Sequence, residues 1–208
     1  DGRILEKEGA RFILGEGYLD ALCSFDVLFR TPGMYFLSDA LNKAREAGVA
    51  VVSEMEVFFD LCPCRMFALT GSDGKTTTST LISEFFKADG RTVHLGGNIG
   101  RPLLPDIESI QPDDLAVLEL SSFQLMTMDR SPHIAVITNL APNHLDMHKD
   151  MAEYVAAKEN IFRHQKPGDK AIFNLDNAIT RRQGESVFQP SGGAGKGRVP
   201  AGRRHRLP

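Results

Sequence analysis

Short apolar runs alternate with amphipathic stretches from the start of the chain to about residue 180. The runs are rich in aliphatic and β-branched residues, which is typical of buried strands. Helical periodicity of apolar residues predicts the helices. Strands that alternate with helices predict an α/β fold built on parallel sheets. The predicted strands are 11–14, 26–29, 49–52, 67–70, 92–95, 115–118, 134–137 and 170–173, and the predicted helices are 37–47, one that opens at residue 76, and 150–162.

Two of the predicted helices carry distinctive patterns. In the helix that opens at Thr76, apolar residues at 81, 82, 85 and 86 form a stripe that we expect to lie on a sheet. In the helix at 150–162, Lys158 falls on the apolar stripe that includes Tyr154 and Ile161. Burial would lower the pKa of this lysine, because desolvation disfavours the ammonium. The alternative is that only its stem covers the core while the amine reaches solvent.

A glycine loop, Gly71-Ser-Asp-Gly74, separates the strand at 67–70 from the following helix. Its glycines allow backbone N–H groups to turn toward an anion at the helix N-terminus. Lys75 can then reach the outer phosphates of a nucleotide, and the hydroxyl of Thr76 can ligate Mg²⁺. The full P-loop motif has glycine where this chain has Leu69, so only G-x-x-G-K-T is present. The flanking strand and helix favour a phosphate site over an ordinary turn.

Polar residues follow other predicted strands, at the edge where parallel sheets bind ligands. Glu119 ends the strand at 115–118 and is a candidate Mg²⁺ ligand, or alternatively a solvated strand terminus. Asn98 follows two glycines and offers both a donor and an acceptor. The turn 31–33 is a candidate ligand contact, although its composition is also that of a simple turn. His144 is a candidate single metal ligand, or a loop histidine without that role.

Composition and charge narrow the class of protein. With 24 Lys and Arg against 27 Asp and Glu, the net charge of −3 argues against a nucleic-acid surface. No apolar run approaches the roughly 18 residues of a membrane span, so we predict a cytoplasmic protein without membrane insertion. We also expect a monomer. Cys62-Pro-Cys64 has neither metal-knuckle spacing nor a second pair, which together with a lone Cys23 predicts free thiols.

Five motifs, in this order and spacing, resemble those of the Mur ligases of peptidoglycan synthesis. They are T-G-S-D-G-K-T-T-T at 70–78, G-N-I-G-R-P at 97–102, E-L-S-S-F-Q-L at 119–125, T-N-L-A-P-N-H-L-D at 138–146 and Y-V-A-A-K at 154–158. The second and third point to the D-glutamate-adding members of the family. The resemblance implies a partial Rossmann-like, UDP-binding N-terminal domain at 1–64. It also implies a partial P-loop central ATPase domain, with a parallel sheet, at 65–182.

The resemblance implies an ATP-dependent amide-bond synthesis. The γ-phosphate of ATP would pass to the terminal carboxylate of UDP-N-acetylmuramoyl-L-alanine, and the amine of D-glutamate would then attack the acyl phosphate. Two Mg²⁺ sites are implied, one held by Thr76 and Glu119, the other by His144 and a carbamylated Lys158. The implied catalytic residues are Lys75, Lys158 and His144. The implied ATP contacts are Gly71, Ser72, Asp73, Gly74, Lys75, Thr76 and Thr77, and the implied substrate contacts are Thr31, Pro32, Gly33, Asn98, Ser121 and Ser122.

The chain also departs from the family pattern. Mur ligases are longer and have three domains, so we expect a chain truncated at both ends that is inactive alone. Residues 183–208 hold six glycines, three prolines and five Lys or Arg against one acidic residue, which predicts a disordered, non-homologous tail. Two rival interpretations remain. One is another ligase of the Mur or folylpolyglutamate type, and the other is a non-catalytic nucleotide-binding module.

Overall fold

The computed structural model describes residues 2–31, 33–142 and 148–187. Within these residues the chain alternates between strands and helices, as the sequence predicts. The strands are β1 Val27–Phe29, β2 Ala50–Val52, β3 Arg65–Thr70, β4 Val93–Gly97, β5 Leu115–Glu119, β6 Ile134–Ile137 and β7 Lys170–Phe173; the α-helices are α1 Gly2–Lys7, α2 Asp39–Glu46, α3 Glu54–Leu61, α4 Lys75–Ala88, α5 Ser122–Leu125, α6 Met151–Arg163 and α7 Ala178–Val187; two 3₁₀ helices span Tyr18–Ser24 and Leu104–Ser109.

Five strands form a parallel sheet in the order β4-β5-β3-β6-β7. Every residue of β5 is buried, as expected for a strand covered on both faces. The chain leaves β3 toward β4 and β5, then crosses to β6 on the other side of β3. This reversal of strand order opens a crevice at the carboxyl ends of β3, β5 and β6, where such sheets bind ligands. The predicted α/β fold with parallel strands is confirmed.

A second, smaller sheet pairs β1 with β2 in parallel. The prediction of a further strand at 11–14 is wrong, because these residues are irregular and pair with no strand of the described chain. Phe12, Ile13 and Leu14 are 43%, 50% and 81% exposed. An apolar run becomes a strand only where a neighbour accepts its backbone hydrogen bonds, and sequence alone does not show that neighbour.

Helix α3 connects the two sheets and packs with the larger one. Its N-terminus is closed by a capping box between Ser53 and Glu56. Met55 and Phe58 are buried in the same apolar cluster as residues of β5 and β6. The predicted domain boundary between residues 64 and 65 falls after this helix, yet the helix shares its core with the sheet that follows.

Helix α4 lies on the sheet with a face that the sequence pattern does not predict. Leu81 and Phe85 of the predicted stripe are 50% and 69% exposed, whereas Ser79 and Ser83 are completely buried. These small side chains allow the helix to approach the sheet closely. Phe86 remains on the sheet side, where its ring lies 4.9 Å from that of Phe67.

Helix α7 continues past residue 182, where the sequence analysis places the start of the tail. The side-chain oxygen of Asn177 accepts the N–H groups of Ile179 and Thr180 and so caps the helix. Gln183 is buried and donates a hydrogen bond of 3.2 Å to Glu159 of α6. The first residues of the predicted tail therefore belong to a packed helix, and 188–208 lie outside the described residues.

Candidate active site

The loop between β3 and α4 has a backbone that requires glycine at two positions. Gly74 has a φ of 76° and is the N-cap residue of α4, where no side chain caps the helix. A Cβ atom at Gly71 would overlap the hydroxyl of Thr138. The uncapped N-terminus of a 14-residue helix therefore faces the crevice with its positive end.

Residues that follow β6 hold this loop in place. The side-chain oxygen of Asn139 accepts the N–H groups of Ser72 and Asp73, at 3.2 and 2.9 Å. The hydroxyl of Thr138 donates to the carbonyl of Asp73 at 2.7 Å. Because the N–H groups of Ser72 and Asp73 already have these partners, the N–H groups at the start of α4 are the ones that remain available to bind an anion. Thr138 and Asn139 are not among the predicted site residues. The sequence feature that could have indicated them is their position as a polar pair directly after a buried strand.

Two side chains from different parts of the chain donate hydrogen bonds to Glu119, whose carboxylate is buried at the end of β5. The hydroxyl of Thr76 donates to one carboxylate oxygen at 2.7 Å, and the amide of Asn98 donates to the other at 3.0 Å. Hydroxyl and carboxylate oxygens are the ligands that Mg²⁺ prefers. The predicted pairing of Thr76 with Glu119 is thus present, and its chemistry fits that cation. The solvated alternative for Glu119 is excluded by its burial.

Lys75 and Lys158 both donate hydrogen bonds to backbone carbonyls of the glycine loop. Lys75 folds back so that its ammonium donates to the carbonyl of Ser72 at 3.0 Å. Lys158 is 2% exposed, and its Nζ atom donates to the hydroxyl of Thr70 and the carbonyl of Gly71, both at 3.0 Å. Its predicted burial is therefore confirmed, and the alternative of a solvent-exposed amine is wrong.

Burial lowers the pKa of Lys158 to about 7. The positive charge of Lys75 lowers it as well, while the carboxylate of Glu119 opposes the shift. A large fraction of this amine is therefore neutral near neutral pH, and a neutral amine is nucleophilic.

A cavity of about 230 Å³ lies between these groups. It brings together residues that follow β3, β4 and β5 with two residues of α6. Asn98, which lines the cavity, donates a hydrogen bond to Glu119, and Glu119 accepts one from Thr76, so this pair lies next to the cavity. The predicted ligand His144 lies outside the described residues. The lining residues are Gly71, Lys75, Asn98, Ser121, Ser122, Phe123, Tyr154 and Lys158.

The segment 121–123 is fixed by its own cap and by a buried histidine. Ser121 accepts the N–H of Gln124 and so caps α5. The hydroxyl of Ser122 and Nε2 of His148 are 2.8 Å apart, and the imidazole stacks on Phe123 with ring centres 5.0 Å apart. His148 is not among the predicted site residues, although it lies four residues from the predicted ligand His144.

The turn after β1 does not contribute to this cavity. Thr31 and Gly33 line a separate, larger one of about 670 Å³, and Pro32 lies outside the described residues. Arg30 connects the two regions. Its guanidinium donates to the carbonyl of Met34 at 3.2 Å and to the carbonyl of Phe123 at 3.4 Å.

These features define a P-loop type of α/β domain. They are a parallel sheet, a glycine loop at the point where the strand order reverses, a helix whose N-terminus has no side-chain cap, and a buried carboxylate beside it. The Mur ligase middle domain matches residues 69–190. The chain therefore belongs to the Mur ligase family.

A curated relative agrees with this placement, and solved structures show a similar fold. The chain is 60% identical over 171 residues to UDP-N-acetylmuramoylalanine–D-glutamate ligase of Acetivibrio thermocellus. The aligned region covers 82% of this chain and 37% of that protein. The fold is similar to UDP-N-acetylmuramate:L-alanyl-γ-D-glutamyl-meso-diaminopimelate ligase from Neisseria meningitides, with a TM-score of 0.58 and 16% identity over 88% of this chain and 63% of that one. It is also similar to MurF ligase from Thermotoga maritima in complex with ADP, with a TM-score of 0.53 and 20% identity over 77% of this chain and 44% of that one. The chain thus spans little more than a third of the relative it matches at 60% identity.

No helix among the described residues is long and apolar enough to span a membrane. The described residues also contain no cluster of three or more His, Cys, Asp or Glu side chains that could hold a metal ion. A metal at Thr76 and Glu119 would therefore need further ligands from a nucleotide or from water, as Mg²⁺ commonly has.

Proposed function

We propose that this chain supplies the phosphate-binding and carboxylate-activating part of a ligase that joins D-glutamate to UDP-N-acetylmuramoyl-L-alanine with ATP. One observation supports this most directly. The glycine loop, the Thr76–Glu119 pair and the buried Lys158 meet in one crevice at the reversal point of the sheet. The named relative at 60% identity supplies the substrate class.

The nucleotide phosphates would bind at the N-terminus of α4. Gly71, Ser72, Asp73 and Gly74 shape the loop, and the N–H groups of the first helical turn, at Lys75, Thr76 and Thr77, point toward the anion. Lys75 is released from the carbonyl of Ser72 to pair with a phosphate oxygen, a stronger acceptor. ATP would supply the phosphoryl group that activates the substrate carboxylate as an acyl phosphate. The amine of D-glutamate would then attack the acyl carbon, forming the amide bond and displacing inorganic phosphate.

The divalent cations would bind at two places next to the loop. Thr76 and Glu119 offer one pair of oxygen ligands. Lys158 offers a second pair of oxygen ligands after it reacts with CO₂. Its neutral amine forms a carbamate and releases one proton, so the side chain becomes an anion. His144 is the second protein ligand in this proposal. Mg²⁺ at these places neutralises charge on the transferred phosphoryl group.

The muramoyl substrate would extend from this cavity toward the turn after β1. Asn98, Ser121 and Ser122 line the cavity next to the loop, where the reacting carboxylate must lie. The separate cavity beside Thr31 and Gly33, together with Pro32, is proposed for the uridine end. We further propose that the protein acts in the cytoplasm as a monomer, and that its product serves cell-wall synthesis and thereby cell shape and division.

A second candidate function is nucleotide binding without ligation. It is favoured by the glycine loop at the N-terminus of α4 and the Thr76–Glu119 pair, which lie together among the described residues. Calorimetric titration with ATP and Mg²⁺ tests the phosphate site in either case. We expect saturable binding that is lost in Lys75→Ala and kept in Lys87→Ala, a matched control at the exposed end of the same helix.

The ligation itself is tested by phosphate release from ATP in the presence of UDP-N-acetylmuramoyl-L-alanine, with and without D-glutamate. Release that depends on D-glutamate supports the full proposal. ATP binding without release supports the nucleotide-binding function alone. A folded chain that binds no ATP, or that releases phosphate with another amino acid but not with D-glutamate, overturns the proposal.

A further inference from the structure

The motif Cys62-Pro-Cys64 lies between α3 and β3, at the end of the sheet opposite the glycine loop. The two sulfur atoms are 3.6 Å apart. Cys64 is buried, with 2% of its surface exposed. Cys62 is partly exposed and lines a cavity of about 310 Å³. One thiol therefore faces a solvent-accessible space and the other lies directly behind it.

We propose that Cys62 and Cys64 form a reversible dithiol–disulfide pair, in which a hydroperoxide in this cavity oxidises Cys62 and Cys64 then closes the bridge. The proposal concerns a site remote from the crevice and does not depend on the function proposed above.

The backbone at this joint brings the two thiols together. Cys62 is the C-cap residue of α3 and has an extended conformation, with φ −64° and ψ 116°. In extended backbone, side chains two residues apart point to the same side. A disulfide needs the sulfur atoms at about 2.05 Å. The separation of 3.6 Å therefore has to close by about 1.5 Å, which a rotation of the partly exposed Cys62 side chain can supply.

The two thiols differ in a way that assigns the order of reaction. The hydrogen bond from Cys64 lowers the pKa of Cys62 to about 7, so that a large fraction is thiolate at neutral pH. The same hydrogen bond, together with burial, raises the pKa of Cys64. Thiolates are the reactive form of cysteine. Cys62 is therefore the attacking sulfur, and Cys64 holds the proton that the second step requires.

The chemistry balances without a further reactant. The Cys62 thiolate attacks one oxygen of the hydroperoxide, the O–O bond breaks, and the departing alkoxide or hydroxide takes a proton from water, which leaves a sulfenic acid on Cys62. The sulfur of Cys64 then attacks the sulfur of Cys62, the S–O bond breaks, and the hydroxide leaves as water with the proton of Cys64. Two thiols thus reduce one hydroperoxide to an alcohol and water.

The walls of the cavity are polar and carry both signs of charge. His133 accepts the N–H of Met66 at its Nδ1 atom, at 3.1 Å, so a neutral imidazole here has its proton on Nε2. Such N–H groups are hydrogen-bond donors for a peroxide oxygen. Besides Cys62 and His133, the charged or titratable residues of the cavity are Asp129, Arg130, His164, Lys166 and Asp169.

The bridge would act on the joint between the two sheets and not on the nucleotide site. Strand β3 has six residues, which separates Cys64 from the glycine loop by about 20 Å. A disulfide between residues this close in sequence closes a very small loop, so its gain in chain entropy is small. We expect oxidation to leave ATP affinity unchanged.

The experiment treats the full 208-residue chain with hydrogen peroxide, blocks the remaining thiols with iodoacetamide and digests with trypsin. Cys62 and Cys64 share the tryptic peptide 46–65, whereas Cys23 lies in peptide 12–30 and serves as the internal control. We expect peptide 46–65 to lose two hydrogen atoms and to escape alkylation, and dithiothreitol to restore both alkylation sites. Cys23, an exposed thiol, should remain alkylated at the same peroxide concentration.

Variants separate the two steps. In Cys64→Ser the sulfenic acid on Cys62 should persist and react with dimedone. In Cys62→Ser the thiol of Cys64 should stay reduced and be alkylated, and Cys23→Ser should leave the oxidation of peptide 46–65 unchanged. Retention of both thiols in peptide 46–65 while Cys23 is oxidised would overturn the proposal, as would bridges that join two chains. The result for the unmodified chain decides the matter by itself if a variant does not fold.

Discussion

The hydroxyl of Ser72 offers a direct test of how the glycine loop is held against helix α6. It donates to the carbonyl of Ala141 and accepts the N–H of the same residue, both at 2.9 Å. The phenol of Tyr154, one turn before Lys158, lies 3.0 Å away and donates the third hydrogen bond. Ser72 and Tyr154 are 6% and 1% exposed, so water does not replace these bonds.

We expect Ser72→Ala to lower the free energy of unfolding by about 2–4 kcal/mol, because it leaves the N–H of Ala141 and the buried phenol of Tyr154 without these hydrogen-bond partners. Tyr154→Phe should cost about 1 kcal/mol, because Ser72 keeps its two bonds to Ala141. In the double variant the orphaned phenol is gone. The two effects should therefore fall short of additivity by about 1 kcal/mol.

Urea unfolding followed by circular dichroism measures these values, and it suits a chain that has no tryptophan as a fluorescence probe. Ser109→Ala is the control, because the hydroxyl of Ser109 is exposed and bonds only within its own 3₁₀ turn. That change should stay within about 0.5 kcal/mol. Additivity of Ser72→Ala and Tyr154→Phe to within about 0.3–0.5 kcal/mol would refute the reasoning, since it would mean that the two hydroxyls do not interact.

Three further outcomes follow from single contacts. Glu119→Gln should abolish the Mg²⁺ dependence of ATP binding in calorimetry, whereas Glu84→Gln, at an exposed position of α4, should preserve it. Gly71→Ala should lower the urea midpoint by the equivalent of about 1–3 kcal/mol and abolish ATP binding, because the added methyl overpacks the loop; unchanged binding would contradict this. The hydrogen bond from His94 lowers the pKa of Asp114, so this carboxylate stabilises the fold above its unfolded-state pKa and loses that contribution as pH falls through its folded-state pKa. Asp114→Asn should therefore be less stable than the unmodified chain at neutral pH. In thermal melts, the difference in Tm between the two should become smaller as the pH is lowered.

The central part of the site could be predicted from the sequence because a parallel sheet collects the carboxyl ends of its strands at one edge. Leu69 pairs with Glu119 in the register of β3 and β5, so the loop after one strand and the acid that ends the other must be neighbours. Lys158 could be placed because a single charged residue on an apolar helical stripe has to be buried or to reach solvent. The sequence pattern allowed either a buried amine or one that reaches solvent, and the structure shows that Lys158 is buried.

Other features depend on contacts that no local pattern contains. Asn139 holds the glycine loop from 66 and 67 residues away in sequence, and nothing in its own neighbourhood distinguishes it from a turn residue. The exposure of Phe85 has a similar origin, since the close approach of α4 through Ser79 and Ser83 turns the larger apolar residues away from the sheet. The irregular segment 11–14 shows the converse, an apolar run for which the described chain supplies no neighbouring strand.

The two cavities are linked by a continuous set of contacts through Arg30. From the turn after β1, its guanidinium reaches the carbonyl of Phe123 at 3.4 Å. Phe123 lines the smaller cavity and stacks on His148, which in turn contacts the hydroxyl of Ser122 in the wall of the same cavity. Burial lowers the pKa of Arg30, yet an arginine remains charged at any physiological pH, so the bonds it donates to these carbonyls are charge-assisted. Arg30 therefore ties the turn after β1 to Phe123 and so fixes one cavity relative to the other.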